Sequence, residues 1–392
     1  MVTRRQFMCS AAAVASAPFS LNAKDVEVAE ESYADAVAKI WHTTKQPISD
    51  RLLLKRDLVR YATLAPSSHN TQCWQFKIEE QAILILPDFT RRCPAVDPDD
   101  HHLFVSLGCA TENLMQAALA NGLHAEIQPY DQANVDNQTN DDKATNAISI
   151  ALEPTKVIAS PLFQAITQRQ CTRGLYDGVA LTNEELNLLE IAGTGDGVHI
   201  LLHTEKQAME NILAYVLEAN SAQMQNNAFV AELKSWIRFS SEEAIRTGDG
   251  LYTATSGNQS LPRWFASPMF DLFFNSNSEN HRYVSQIRSS AGIAIFVSDM
   301  NDRAHWLEVG RCYERFALQA TALGIRNAFL NQPVEVAKVR QQFARYLDLD
   351  DGLGDALGDG AAKGSRPDLI VRFGRGSKML QSLRRPVESV LI

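Results

Sequence analysis

The stretch 106-SLGCATENLMQAALANGLHA-125 returns 202 residues later as 308-EVGRCYERFALQATALGIRN-327. Gly108 matches Gly310, Glu112 matches Glu314, Ala118 matches Ala320 and Gly122 matches Gly324, with Cys109 and Cys312 agreeing to within one position. Apolar residues at helical spacing (Leu107, Ala110, Leu114, Ala117, Ala118) predict a helix in each copy, stopped by the glycine that follows. An acidic turn precedes each helix (97-DPDDHH-102 and 299-DMNDRAH-305), and a short extended run follows it (125-AEIQPY-130 and 326-RNAFLN-331). The apolar run 291-AGIAIFVS-298 predicts a strand ahead of the second turn. Such a repeat constrains the chain to two α+β halves, each too open to bury its own faces. They are expected to pack on each other as an intramolecular pseudo-dimer.

The expected boundaries are a separable N-terminal segment 1–23, a first half 24–155 and a second half 156–392. About residues 206–285 have no counterpart in the first half; an insert of this length predicts a helical lid or dimer arm. The formal charge of −9 argues against a general nucleic-acid surface, which needs clustered Lys and Arg. Any anion held here must be held by a local arginine cluster.

At the N-terminus, 3-TRRQFM-8 followed by the Ala/Ser-rich, acid-free 9-CSAAAVASAPFSLNA-23 has the pattern of a twin-arginine export signal, which predicts a periplasmic protein. The apolar stretch is too short and too weak to span a membrane. The small-x-small pattern favours cleavage after 21-LNA-23 over 15-ASA-17, which Pro18 follows. Cleavage removes Arg4 and Arg5 and takes the formal charge from −9 to −11. This route carries proteins already folded, often with a cofactor in place. Cys73, Cys93, Cys109, Cys171 and Cys312 contain no CxxC pair and read as small hydrophobes rather than a disulfide or zinc framework.

The loop 65-APSSHNTQCWQF-76 joins a predicted helix, 51-RLLLKRDLVRYATL-64, to a predicted strand, 82-AILILP-87. Further on, 169-RQCTR-173 would set Arg169 and Arg173 one turn apart on a helix and converge them on one anion. The tail carries 366-RPDLIVRFGRG-376 and 382-SLRRPVESVL-391. In their order and spacing these segments resemble the FMN-dependent nitroreductase superfamily. The resemblance is greatest to its fused, double-length branch related to Acg.

The resemblance implies an FMN site. The phosphate would be held by Arg169 and Arg173, with Cys171 where the family has Ser, and by the tail arginine, Arg384 or its neighbour Arg385. Ser67, Ser68 and Asn70 would face the flavin ring, and Asn331 would lie where the family's backbone meets it. FMN asks for this division, with fixed positive charge at its phosphate and hydrogen-bond donors at a ring that becomes anionic on reduction. The second half has the arginine pair but reads 191-IAGTGDGVHILL-202 where a Ser/Asn loop would follow. The first half has the loop but offers only Arg51 to Lys55, with Leu53 between, as an anion frame. This complementary loss predicts one flavin site per chain.

The implied activity is ping-pong electron transfer through FMN to a small flat acceptor, a nitroaromatic or a quinone. The donor is NAD(P)H for a cytoplasmic enzyme and a different reductant in the periplasm. A non-enzymatic FMN-binding protein whose insert closes over the flavin is the alternative, and an apo relic of the fold a third reading. Further pairing into a homo-oligomer stays open. His101 and His102 are expected in a solvated turn, and 348-DLDDGLGDALGDG-360 as an acidic loop that falls short of a calcium site. No metal is expected. No G-x-G-x-x-G is present.

Overall fold

Residues 292–297 alternate between two cores. Ile293, Ile295 and Val297 face one, while Ala294 and Phe296 face the other, and all five are fully buried. A strand covered on both faces reads as an unbroken apolar run, which is how this one stands out in the sequence.

The computed structural model describes residues 23–128, 146–349 and 363–392. The predicted export signal and most of the acidic loop 348–360 lie outside the described residues. The first half comprises α1 (Ala23–Ile40), α2 (Arg51–Thr63), β1 (Trp74–Ile78), β2 (Ala82–Pro87), α3 (His101–Ala120), β3 (Leu123–Gln128) and β4 (Ile148–Pro154). The second opens with α4 (Pro161–Ile166), α5 (Asn183–Gly193) and β5 (Val198–His203). The insert follows: α6 (Lys206–Gln225), α7 (Asn227–Trp236), β6 (Ile237–Arg238), α8 (Ser241–Thr247), β7 (Leu251–Tyr252), α9 (Arg263–Phe273) and α10 (Ser276–Arg288). The second half resumes with β8 (Gly292–Met300), α11 (Arg303–Ala322), β9 (Arg326–Phe329), α12 (Gln332–Glu335), α13 (Ala337–Tyr346) and β10 (Lys363–Gly374).

The two halves share one topology. Antiparallel sheets run β1-β2-β4-β3 and β5-β8-β10-β9, and in each the repeat helix joins the second strand of the sheet to the third in chain order. The repeat helices α3 and α11 lie back to back, and Gly108 and Gly310 mark their crossing. A Cβ on Gly108 would sit 2.0 Å from the carbonyl oxygen of Leu307, and one on Gly310 would sit 2.0 Å from that of Val105. Val105 and Leu307 are themselves related by the 202-residue offset, so the contact is reciprocal, as a two-fold interface requires. The repeated glycines at the helix ends also match: Gly122 and Gly324 adopt φ of 75° and 72°, the left-handed conformation that stops a helix.

One hydrophobic core runs through both halves, joining Leu107, Ala110 and Leu114 of α3 to Val309, Tyr313 and Phe316 of α11. The C-terminal tail crosses back to the first half, where Phe76 N–H donates to Val390 O (2.7 Å) and Ile392 N–H donates to Phe76 O (2.9 Å). The architecture is α+β, two fused halves with a helical insert, as the repeat predicts.

Two expectations need correction. Helix α3 starts at His101, so His101 and His102 are buried in its first turn rather than exposed in a solvated one. The reason is remote, since His101 Nε2 lies 2.7 Å from Asp368 Oδ1 on β10 of the other half. Residues 169–173 are also not helical. They are irregular backbone joined to β9 by a single bridge at Cys171, with Thr172 N–H donating to Asn327 O (2.9 Å). Arg169, Cys171 and Arg173 nevertheless line one chamber, together with Gln170.

Candidate functional site

After α2 the chain turns through 65–73 with three non-glycine residues in left-handed backbone: His69 (φ 48°), Asn70 (φ 54°) and Gln72 (φ 54°). Such conformations persist where the surroundings over-determine them. Here Gln72 N–H donates to Ser67 Oγ (2.9 Å) and Gln72 Nε2 to Gly248 O (2.8 Å). Asn70 Nδ2 donates to Gly250 O (3.0 Å) and Leu383 O (3.2 Å). The first half's loop is thus tied to the insert and to the tail. Two of its polar atoms, the acceptor Asn70 Oδ1 and the ring nitrogen His69 Nε2, are left buried without a partner.

The loop borders two of three adjoining chambers at the junction of the halves and the insert. A basic chamber of about 60 Å³ is lined by Asn70, Arg169, Cys171, Arg173 and Arg384. A middle chamber of about 230 Å³ is lined by Ser67, Ser68, His69, His102, Asn331 and Glu335. A lid chamber of about 290 Å³ lies under Phe229, Phe270, Phe274 and Tyr283 of the insert. Arg173, Leu251 and Phe329 line all three.

The three arginines of the basic chamber differ in what they have left to give. Arg384 spends its whole guanidinium on carbonyls: Nε donates to Thr63 O (2.8 Å), Nη2 to Leu64 O (3.1 Å) and Ala65 O (3.0 Å), and Nη1 to Ser382 O and Leu383 O. It clasps the end of α2 and stacks over Trp41, so its expected phosphate bond gives way to a structural one; only its charge reaches the chamber. Arg169 is buried against Glu314 (3.1 Å) and donates to Leu64 O (2.9 Å). Arg173 is half-buried, and its guanidinium makes no hydrogen bond or ion pair among the described residues. Arg385 reaches the carbonyls of Gln72 and Trp74 and lines none of the chambers, which removes it from the expected site.

The balance of charge is positive. Glu314 is the buried acid paired with these arginines, and burial pushes its carboxyl up to about 7 against the pull of Arg169. Burial and then the neighbouring Arg169 charge bring Arg384 down to about 9. A chamber in which one cation depresses another is short of an anion.

Glu314 also sets a pH dependence. Its folded pKa lies above the ordinary 4.5, so the folded state binds the extra proton between those values. The stability this supplies is complete below about pH 4.5 and is lost as pH rises through about 7. Asp368, pushed by burial from 3.8 to about 6, acts with the same sign in a lower window. In Glu314→Gln the fall in urea midpoint from about pH 5 to 7 is expected to be shallower than in the parent protein. Equal slopes would place the proton elsewhere.

Asn331 Oδ1 accepts from Ile370 N–H (3.0 Å), pinning α12 to β10 and leaving the Asn331 amide as a donor at the middle chamber. Ser68 lines that chamber without a side-chain bond of its own among the described residues. His69, His102 and Glu335 were not expected there. A histidine inside a Ser/Asn loop was the available signal for His69; the other two arrive from separate elements. Burial, then the charge of Arg173, lowers His69 to about 4, so its imidazole is neutral at ordinary pH.

Among the described residues two clusters have metal-ligand spacing: His69, Cys93 and Glu232, and Asp97, His101 and His102. Their carboxylates are already committed. Glu232 accepts from Ala95 and Val96 N–H, and Asp97 from His102 and Leu103 N–H.

The pseudo-symmetric location is filled. At the 202-residue offset, Ser106 and Cys109, which line the middle chamber, are replaced by Glu308 and Arg311. These join Glu112 and Arg315 in a network with Arg311–Glu308 at 2.5 Å and Arg315–Glu112 at 3.0 Å. A Cβ on Gly195, in the loop facing this network, would already meet Glu308 Oε1 at 2.3 Å.

No protein-family profile matches the chain. Two Mycobacterium tuberculosis proteins that carry NAD(P)H nitroreductase as a provisional name, Rv3131 of strain H37Rv and MT3217 of strain CDC 1551, are each 23% identical to it over 295 residues. The match takes in 73% of this chain and 78% of each relative. Among solved structures, an FMN-bound nitroreductase from Bacteroides fragilis aligns with 58% of this chain and 95% of its own, at 12% identity and a TM-score of 0.33. One from Desulfitobacterium hafniense aligns over the same shares at 13% identity and a TM-score of 0.34.

Proposed function

We propose that this chain is an FMN-dependent oxidoreductase of the nitroreductase type, belonging to the fused, double-length branch related to Acg. It would hold one flavin between its halves. The observation that carries the reading is the basic chamber, lined by three arginines, of which Arg169 is paired with the buried Glu314 and Arg173 has its donors free among the described residues. Beside it the middle chamber supplies the Asn331 amide, Ser68 and the unpartnered Nε2 of His69, while Asn70, its Oδ1 unpartnered, lines the basic chamber. A phosphate dianion suits the first, and a flat ring edged with donors and acceptors suits the second. The similarity to the two mycobacterial proteins supports the same reading.

Bound FMN would accept and return a hydride equivalent, chemistry that needs no side-chain nucleophile. The protein's part is placement. Arg173 and Arg169 would fix the phosphate end; loop 65–73 would present polar groups to the ring, and Phe329 and Leu251 would exclude water where the chambers meet. The lid chamber gives a flat nitroaromatic or quinone room beside the ring, which favours an enzyme over a protein that only sequesters flavin. We further propose export by the twin-arginine route to the periplasm, where a reductant other than NAD(P)H would be required.

The test is anaerobic. Purified protein is expected to be yellow, to bleach with NADH, NADPH or dithionite, and to regain its colour with benzoquinone. Bleaching by dithionite, which reduces any accessible flavin, with none by either nucleotide sinks the enzyme reading in its simple form. Protein that takes up no flavin overturns the reading.

A further inference from the structure

We propose that Glu335 and His102 form a proton port into the middle chamber, supplying the proton that must accompany hydride transfer to a quinone-type acceptor. This rests on the flavin reading above. The two residues come from opposite halves, Glu335 closing α12 and His102 in the first turn of α3. Both line the middle chamber, and both also line a separate cavity of about 50 Å³ behind it. With Val96 they form the wall the two spaces share. The rear cavity is large enough for a water molecule and is bordered by the exposed Pro98 and Asp99. One face of this wall therefore looks toward solvent and the other toward the proposed reaction chamber.

Hydrogen bonding fixes what the wall presents. His102 Nε2 lies 3.3 Å from the carbonyl oxygen of Asp368, a partner that can only accept, so Nε2 carries the ring proton. Nδ1 is then a bare lone pair, and it faces Glu335 Oε1 at 3.7 Å. The other carboxyl oxygen, Oε2, accepts from Gln223 Nε2 at 2.6 Å. Two acceptors face each other across a gap that one water or a small rotation would bridge, an arrangement that calls for a proton between them. Burial favours keeping it on the carboxyl, against the pull of His102, and Asp97 and Glu232 act in the same direction as burial. Arg340, Arg366 and His101 face the pair from the rear cavity, and Arg173 and His69 from the middle chamber.

Reducing a quinone to a hydroquinone takes two electrons and two protons. The hydride brings both electrons and one proton, leaving an acceptor oxygen that needs the second. The Glu335 O–H bond breaks as the new O–H bond forms on that oxygen. The carboxylate is then reprotonated from solvent through the rear cavity and His102.

The test uses flavin-loaded protein reduced with dithionite, then mixed with either benzoquinone, which takes up protons, or ferricyanide, which takes electrons only. In Glu335→Gln the ratio of quinone to ferricyanide reoxidation rates is expected to fall on the order of 10²-fold. The infrared difference spectrum between the parent protein and Glu335→Gln is expected to show the loss of one protonated-carboxyl band, with those of Glu314 and Asp368 unchanged. Should Glu335→Gln fail to fold, His102→Asn carries the kinetic test, with the same selective fall in the ratio. An unchanged ratio, or an infrared difference spectrum between parent and Glu335→Gln in which no protonated-carboxyl band is lost, overturns the proposal. Protein that binds no flavin fails the functional reading instead, and the infrared comparison still reports on Glu335.

Discussion

Gly310→Ala is expected to destabilise the folded chain by about 3 kcal/mol, at the top of the usual range for overpacking. In an exposed helix the same change would stabilise by roughly 1 kcal/mol, because alanine is the better helix former. Contact decides the sign here. The added methyl carbon would lie 2.0 Å from Val105 O and 3.0 Å from Cys109 N, both backbone atoms that no rotamer change can move. The helices α3 and α11 must separate, which loosens the core they share and stretches the Cys109 Sγ to Gly310 O contact of 3.2 Å. Gly108→Ala should behave alike through Leu307 O. A urea midpoint that falls in both variants is the expected outcome; a rise in either would mean that the helices do not cross here.

Arg173→Ala is expected to weaken FMN binding by roughly 10- to 150-fold, the loss of about 1.5–3 kcal/mol that a charge-assisted hydrogen bond supplies. Its urea midpoint should barely move, since no bond within the described residues depends on that guanidinium. Arg384→Ala should reverse the pattern. It strips donors from Thr63, Leu64 and Ala65 carbonyls in a buried setting, at about 1–3 kcal/mol for a group left unsatisfied. Stability is the main loss there, with flavin affinity falling only through the missing charge. Unfolding by urea and flavin fluorescence, measured on both variants, separate an anchor from a clasp.

The sequence carried the pairing of the halves clearly because a glycine in van der Waals contact with backbone tolerates no substitute. The glycines of α3 and α11 therefore mark both the repeat and its crossing point. Strand β2 was legible to the residue, since 82-AILILP-87 is bounded by polar turns. Arg169 and Arg173 were expected together on one helical turn; they meet at one chamber through non-helical backbone, which a spacing of four cannot distinguish. The division among the arginines was not legible. Whether Arg384 has a free donor depends on carbonyls about 320 residues away in the chain. His101 and His102 looked solvated because the partner that buries them, Asp368, comes from the last strand. His69 and Glu335 gave no periodic signal, since a loop residue and the end of a one-turn helix belong to no long pattern.

The proposed flavin site is one per chain, where the halves complement each other; the pseudo-symmetric position is occupied by Glu308, Arg311 and Arg315. Equilibrium titration of flavin-free protein with FMN, followed by fluorescence quenching, tests this directly. The predicted result is one FMN bound per chain, with Arg173→Ala shifting the curve to weaker binding at unchanged stoichiometry. Two equivalents per chain, or no saturable binding, would contradict it.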